Sequence, residues 1–201
     1  FLESIDIMKK CWVNDERWSY NGQFWSYNDI IVEPPCAQAP HPPLWLAAGH
    51  PDSIKTVAKM GANLLLDQFS PKNTVLERVR VFRESLRDNA QTGAPQQIAL
   101  ARALYIAKDE ADKMEAIERR MNARAKVDAL SQRPDGQNKS SIMTHKGSEE
   151  ALDGALIGTI DEIVQRLFEL RSGGVDYILL VDAGGGINGL RQFAKDVVPQ
   201  L

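Results

Sequence analysis

Apolar residues in the larger, later part of the chain alternate between short continuous runs and stripes at helical spacing. The continuous runs are Leu44–Ala48, Asn63–Asp67, Ile98–Ala107 and Tyr177–Val181. Runs of this kind are typical of parallel strands that are buried on both faces. One of the helical stripes between them consists of Val75, Val79, Phe82 and Leu86. Strands that alternate with amphipathic helices predict an α/β fold, in which helices pack outside a parallel sheet.

The first 43 residues follow a different pattern. Apolar residues recur at helical spacing over residues 1–13, which predicts a helix. Aromatic residues then flank Asn21-Gly22, the strongest short signal for a hairpin, because both positions of its two-residue turn need a positive φ. Residues 34–43 are rich in proline and exclude helix or central strand. We therefore expect a helix, a β-hairpin and a proline-rich loop over residues 1–43, before the strand–helix region at 44–201.

Polar residues mark the ends of several predicted elements. Ser70-Pro71 predicts a helix start with Ser70 as its cap, and Thr159 to Glu162 has the form of a capping box. The charge-rich segment 109–126 predicts a helix with a solvated face. The polar residues 131–150 predict a mobile loop.

The count of strand–helix units leaves two ways to close the sheet. One is an open doubly wound sheet, and the other is a (β/α)₈ barrel, which needs eight units and typically about 250 residues. The chain has 201 residues and provides four units. It also begins at Phe1, without Met, inside a helical pattern. For a barrel, we expect an absent N-terminal segment or a partner chain to supply the other half.

Composition narrows the class of protein. Hydrophobic residues make up 43% and charged residues 25% of the chain, as is usual for a soluble globular domain. The net charge of −3 argues against a nucleic-acid surface, and no apolar run approaches the ~20 residues of a membrane helix. Only Cys11 and Cys36 are present, which favours a reducing, cytoplasmic setting. The three histidines lie far apart in sequence, and we expect no metal site.

The most informative candidate site is the turn after the first buried run. Ala48-Gly49-His50 leads directly into a helix with Pro51 at its first position, so the free N–H groups of Asp52 and Ser53 would point out of the helix start. Gly49 would allow a ligand to approach the backbone, and Ser53 adds a hydroxyl. Together these groups predict a phosphate site.

Other positions compete with this turn or lack support. The turns at 157–159 and 184–186 are alternative phosphate sites, since barrels often bind phosphate after their last strands. Asp67 and Asp182 end strands, where barrels place catalytic groups, yet a polar residue that merely ends a strand is the better explanation of each. The catalytic residues stay unknown.

Several stretches, in the same order along nearly the whole chain, resemble the luciferase-like flavin monooxygenase family. They are Trp18–Pro34, Ala39–Ala48, Leu156–Glu162, Gly174–Ile178 and Phe193–Leu201. The resemblance covers only the C-terminal half of that family. It implies a (β/α)₈ TIM-barrel fold, here represented by about four strand–helix units preceded by a helix and a β-hairpin.

The resemblance also implies a function. Family members use reduced FMN and O₂ to oxygenate a small organic substrate, and a separate flavin reductase supplies the reduced flavin. The segment Ala48, Gly49, His50 and Ser53 resembles the family segment that holds the flavin phosphate, which makes the turn at 184–186 a cavity rim instead. The family's other flavin and substrate residues lie on its first four strands. We therefore expect the 201-residue piece to be inactive by itself, and the intact protein to be a homo-oligomer.

Two further functions are compatible with the sequence. One is a deazaflavin-dependent oxidoreductase on the same barrel. The other is a non-catalytic partner subunit of a luciferase-like pair. The sequence offers no signature of the substrate.

Overall fold

The computed structural model describes residues 1–89, 96–131 and 147–201 and divides the chain into two compact units, Phe1–Leu44 and Trp45–Leu201. Most of the loop predicted at 131–150, including His145, lies outside the described residues. Its last residues, however, belong to a short helix, α5, at Ser148–Asp153. No helix in the described ranges combines the length and apolar character that crossing a membrane requires.

The first unit contains helix α1 (Leu2–Val13) and an antiparallel hairpin of β1 (Trp18–Asn21) and β2 (Ser26–Ile30). The hairpin is confirmed, but the predicted two-residue turn at Asn21-Gly22 is wrong. Asn21 pairs with Ser26, so the loop has four residues, and it is closed by the Gly22 N–H donating to the Trp25 carbonyl at 2.9 Å. The carboxylate of Glu3 fixes this loop by accepting from the N–H groups of Phe24 and Trp25.

The second unit is built on a five-stranded parallel sheet. Its strands are β3 (Trp45–Ala47), β4 (Asn63–Leu66), β5 (Ile98–Ile106), β6 (Ala155–Gly158) and β7 (Tyr177–Asp182). Their connections include α2 (Pro51–Lys59), α3 (Lys72–Asp88), α4 (Glu110–Ser131) and α6 (Ile160–Ser172). The chain ends with α7 (Gly186–Gln192), a π-helical turn at Phe193–Val197 and a 3₁₀ turn at Val198–Gln200. The alternating α/β pattern is confirmed.

Strand β5 is the centre of the sheet because it pairs with three other strands. Leu100 lies between Leu66 of β4 and Ile178 of β7, and Leu104 lies between Leu156 of β6 and Asp182 of β7. Hence β4 and β6 follow one another along the same side of β5. The sequence did not predict β6: its four residues precede the capping box of α6 so closely that they resemble a turn.

The sheet is curled. Trp45 lies on the edge strand β3 and Tyr177 on the edge strand β7, yet their rings meet edge to face with centroids 5.9 Å apart. Edge strands can meet in this way only when the sheet bends towards closure, as in a barrel. Small and aliphatic side chains lie farther along the same face, at Ala47, Leu65, Ala101 and Leu179.

Helices cover both faces of β5 and β6. Neighbouring residues of each strand point to opposite faces and therefore contact different helices. Ala103 and Ile157 pack with Ala116 and Ile117 of α4 on one face. Leu104 and Leu156 pack with Ile163 of α6 on the other.

The helix starts follow the sequence in two of three cases. The capping box of α6 is confirmed: Thr159 Oγ1 accepts from the Glu162 N–H, and the Glu162 carboxylate accepts from the Thr159 N–H. Pro51 is the first residue of α2, as expected. The prediction of Ser70 as the cap of α3 is wrong. Pro71 occupies the cap position, and the Ser70 hydroxyl instead donates to Asp67 and accepts from Arg78.

Candidate functional site

A cavity of about 400 Å³ opens on the inner face of the curled sheet, at the carboxyl ends of β3 and β4. This volume is in the range of small-molecule sites. Its lining consists of Ala47, Ala48, Gly49, Leu65, Leu66, Asp67, Gln68, Phe69, Ala101 and Leu179. We call it the first cavity. Its wall is mainly apolar, and small residues at Ala47, Ala48, Gly49 and Ala101 would let a flat ring system contact the sheet closely.

The turn from β3 to α2 forms one edge of the first cavity. Ala48 and Gly49 line the cavity, whereas His50 and Ser53 lie exposed at the start of α2. His50 is the N-cap: its Nδ1 accepts from the Asp52 N–H at 3.4 Å. The Asp52 N–H is therefore not free, contrary to expectation. Ser53 keeps an N–H without a partner inside the helix, together with an exposed hydroxyl.

The charges around this helix start largely offset one another. The Asp52 carboxylate lies 3.7 Å from His50 Nδ1 and 3.9 Å from Lys55 Nζ, and its side chain is 80% exposed. An anion near the backbone of Gly49 and Ser53 would thus meet a carboxylate that solvent and Lys55 already screen.

The opposite wall is the loop from β4 to α3, and Asp67 holds it in shape. The Asp67 carboxylate accepts from the N–H groups of Phe69 and Ser70, from the Ser70 hydroxyl at 2.8 Å and from Arg78 at 2.7 Å. Burial opposes ionisation of this carboxyl, but these donors outweigh it and hold the Asp67 pKa below its ordinary value. These hydrogen bonds all hold the β4–α3 loop, so the contacts of Asp67 are structural.

Arg102 fills the gap where β4 ends and β6 begins beside β5. Its guanidinium donates to the carbonyls of Asp67 and Ser70, and only 1% of the residue is exposed. Burial lowers the pKa of Arg102 to about 10. Arg102 therefore joins the central strand to the loop that forms the cavity wall.

A second cavity, of about 390 Å³, lies between α4 and the carboxyl ends of β5 and β7. It shares Gln68 and Phe69 with the first cavity, so these two residues form a common wall. The other lining residues are Ala103, Ala116, Arg119, Arg120, Ala123, Arg124, Val127, Val181, Asp182, Ala183 and Gly184. We call it the arginine cavity.

The glycine turn after β7 forms the rim of the arginine cavity. The Asp182 carboxylate accepts from the N–H groups of Gly184, at 3.2 Å, and Gly186, at 2.9 Å. Two of the donors that a phosphate would need here are therefore taken. The Asp182 carboxylate holds the glycine turn in shape, just as the Asp67 carboxylate holds the β4–α3 loop.

The sequence interpretation missed the arginines. Helix α4 was expected to present a solvated face, but Arg124 is buried, and Arg120 donates to the backbone carbonyls of Gln68, Ala151 and Gly154. Both guanidinium groups lie over the Phe69 ring, at 5.4 Å for Arg120 and 5.1 Å for Arg124. The sequence of α4 alone does not predict this contact, because Phe69 is about fifty residues away along the chain.

A comparison with protein families shows to which family the chain belongs. The family model for luciferase-like monooxygenases matches residues 1–177. The chain belongs to the luciferase-like monooxygenase family. The curled parallel sheet, with its cavities at the carboxyl ends of the strands, is the part of the family's barrel that this chain contains.

Two monooxygenases are related to this chain in sequence. The oxygenase component of a flavin-dependent trigonelline monooxygenase from Acinetobacter baylyi is 28% identical over 110 residues, which cover 55% of this chain and 30% of that protein. An FMNH₂-dependent dimethylsulfone monooxygenase from Pseudomonas putida is 24% identical over 191 residues, which cover 88% of this chain and 51% of that protein. The chain thus spans about half, or less, of the length of these relatives.

Solved structures share the fold. An F420-dependent secondary alcohol dehydrogenase superposes with a TM-score of 0.76 at 16% identity, covering 98% of this chain and 60% of that one. A monooxygenase from Streptomyces bottropensis gives 0.73 at 21% identity, covering 99% and 60%. The partial coverage of both agrees with a partial barrel.

Proposed function

We propose that the protein is the oxygenase of a two-component, FMN-dependent monooxygenase system. A single observation carries the proposal: the first cavity lies directly beside the turn between β3 and α2, so a ring and an attached phosphate could be held next to each other. The two related monooxygenases, one described as an oxygenase component and the other as FMNH₂-dependent, support it.

We assign the flavin phosphate to Ala48, Gly49, His50 and Ser53. The Ser53 N–H and hydroxyl would donate to it, Gly49 would let it approach the backbone, and the dipole of α2 would favour its charge. His50 would keep the helix start in place by capping it.

The isoalloxazine ring is assigned to the first cavity. Ala47, Leu65 and Ala101 offer a flat apolar floor, and the Gln68–Phe69 wall would bound the ring on one side. Bound reduced FMN would supply two electrons to O₂, so that one oxygen atom could enter the substrate and the other leave as water. The protein's own contribution is to bind, orient and exclude water.

The partners follow from that chemistry. They are O₂, a small organic substrate and a flavin reductase, which supplies reduced FMN. We further propose that the protein is a homo-oligomer and lies in the cytoplasm. The two cysteines, Cys11 and Cys36, are free thiols, which fits a reducing compartment. We expect the 201-residue chain alone to be inactive, because Leu179 of the first cavity is 48% exposed and water would reach the flavin.

The test is a titration of the full-length gene product with FMN and with reduced FMN under anaerobic conditions. Ser53→Ala should weaken flavin binding by roughly tenfold or more, since a hydrogen bond to a charged group is worth about 1.5–3 kcal/mol. Thr56→Ala is the matched control on the same helix, because the Thr56 hydroxyl is already bonded to the Asp52 carbonyl at 2.9 Å.

Two results would contradict the proposal. Equal losses for both variants would remove the phosphate site from this turn. A protein that binds a deazaflavin but neither form of FMN would be the alternative oxidoreductase.

A further inference from the structure

We propose that the arginine cavity binds the anionic group, a carboxylate or a sulfonate, of the organic substrate. The inference rests on the proposed function, because it names the class of substrate that the proposed monooxygenase would take. It depends on three features of the cavity: its excess of positive charge, the fixed positions of two of its guanidinium groups, and its apolar walls.

Charge is the first feature. Among the described residues, Arg119, Arg120 and Arg124 line the cavity, and Asp182 is the single acidic residue of the lining. The Asp182 carboxylate is already engaged by the N–H groups of the glycine turn. The lining therefore keeps a net positive charge, and an anion that enters it gains attraction at a partly desolvated site.

The second feature is that contacts within the protein hold two of the guanidinium groups in place. Arg120 is held by three backbone carbonyls, and the Phe69 ring lies under both Arg120 and Arg124. These guanidinium groups need little reorganisation when a ligand binds, which preserves affinity. Burial, followed by the charge of Arg124, lowers the pKa of Arg120 to about 10, while the Asp67 carboxylate acts in the opposite direction.

Arg119 is the group that can move to a ligand. Its guanidinium lies 5.1 Å from the centre of the Tyr105 ring, and its side chain is 49% exposed. Its Nη1 is 3.9 Å from the Glu115 carboxylate, a distance typical of a weak surface pair. A carboxylate or sulfonate inside the cavity would be a better partner, because a guanidinium binds such groups with two parallel hydrogen bonds.

The apolar walls indicate that the anion carries an organic body. Alanine, valine and phenylalanine side chains provide most of the remaining lining, at Phe69, Ala103, Ala116, Ala123, Val127, Val181 and Ala183. An inorganic ion would leave this surface uncovered, whereas an aromatic or aliphatic acid would contact it. The flavin phosphate is assigned to the turn before α2, which does not line this cavity.

The experiment uses benzoate as the anionic probe and benzamide as its neutral counterpart, titrated calorimetrically into the full-length gene product. Benzoate should bind, and benzamide should bind at least tenfold more weakly. Arg119→Ala should weaken benzoate binding by about tenfold. Glu115→Gln should strengthen it, because the variant removes the competing carboxylate. Arg80→Ala is the control, since Arg80 is an exposed arginine paired with Glu77 and Glu84 on α3.

FMN titrations of the same variants separate this proposal from the previous one. Arg119→Ala should leave FMN affinity unchanged. A loss of FMN affinity without a loss of benzoate affinity would overturn the inference, because the cavity would then hold the flavin. Absent benzoate binding, equal binding of benzamide, or an equal effect of Arg80→Ala would also overturn it. If wild-type protein binds benzoate as expected but no FMN, only the proposed cofactor fails.

Discussion

Asp67 illustrates how one carboxylate can look catalytic in sequence and be structural in the molecule. It ends a buried strand, where barrels place reactive groups. Its oxygens are instead bound by Phe69, Ser70 and Arg78. The side chains in this ion pair are only 10% exposed for Asp67 and 7% for Arg78. Breaking a buried pair of this kind costs about 3–5 kcal/mol.

The pH dependence of stability follows from the lowered pKa of Asp67. The contribution of this carboxylate is fully present above the ordinary pKa of about 3.9, and it is lost as the pH falls through the lower pKa of the folded state. Asp67→Asn should reduce the free energy of unfolding at pH 7 by about 3 kcal/mol. The difference from wild type should shrink below about pH 4.

Urea unfolding at pH 7 and at pH 3 measures both effects. Asp88→Asn is the control, since Asp88 lies exposed at the end of α3. A difference between wild type and Asp67→Asn that stays constant down to pH 3 would show that the charge of Asp67 does not stabilise the loop.

At the scale of elements, the connection between α5 and β6 supports the common wall of the two cavities. A Cβ atom at Gly154 would lie 2.5 Å from the Phe69 carbonyl oxygen. The Gly154 carbonyl also accepts from Arg120 at 3.1 Å. The glycine thus lets the β4–α3 loop approach the start of β6 closely.

Gly154→Ala should displace Phe69 and destabilise the protein by about 1–3 kcal/mol, the usual cost of overpacking. It should also weaken FMN and benzoate binding together, because Phe69 lines both cavities. Gly147→Ala is the matched control, since within the described part of the chain the nearest atom to a Cβ there is 3.9 Å away, in the Glu150 side chain. Thermal unfolding and the two titrations are the measurements. Unchanged binding in Gly154→Ala would mean that the wall does not depend on this contact.

The sequence predicts the elements better than their contacts. Continuous apolar runs, typical of parallel strands, identify four of the five strands. The structure buries β4 and β5 almost fully, whereas several residues of β3 and β7 are exposed. The strand β6 is missed because its four residues adjoin a capping box. The candidate turn at Gly49–Ser53 is locally encoded by Pro51. The positions of the α4 arginines are not encoded locally, because their partners lie in the distant loop at Asp67–Ser70.

At the scale of the whole molecule, β5 is the strand on which the sheet depends. It pairs with β4 and β6 on one side and with β7 on the other, whereas β3 has only β4 as a partner in the described residues. Edge strands open more easily than central ones, since fewer contacts hold their hydrogen bonds.

Native-state hydrogen exchange should therefore be slowest at the amides of Leu100 and Leu104, which have pairing partners on both sides. In the 201-residue chain it should be much faster at β3. Exchange rates measured by NMR or mass spectrometry check this order. Equal protection of β3 and β5 would indicate that the sheet opens as a single unit.

The wall of Gln68 and Phe69 links the energetics of the two cavities. A ligand that shifts this wall from one side changes the affinity on the other side, and thermodynamic linkage requires the effect to be reciprocal and equal in both directions. The hydrogen bonds of Asp67 resist such a shift. The Asp67 carboxylate, through the hydrogen bonds that hold this loop, would then set the strength of cooperativity between flavin and substrate.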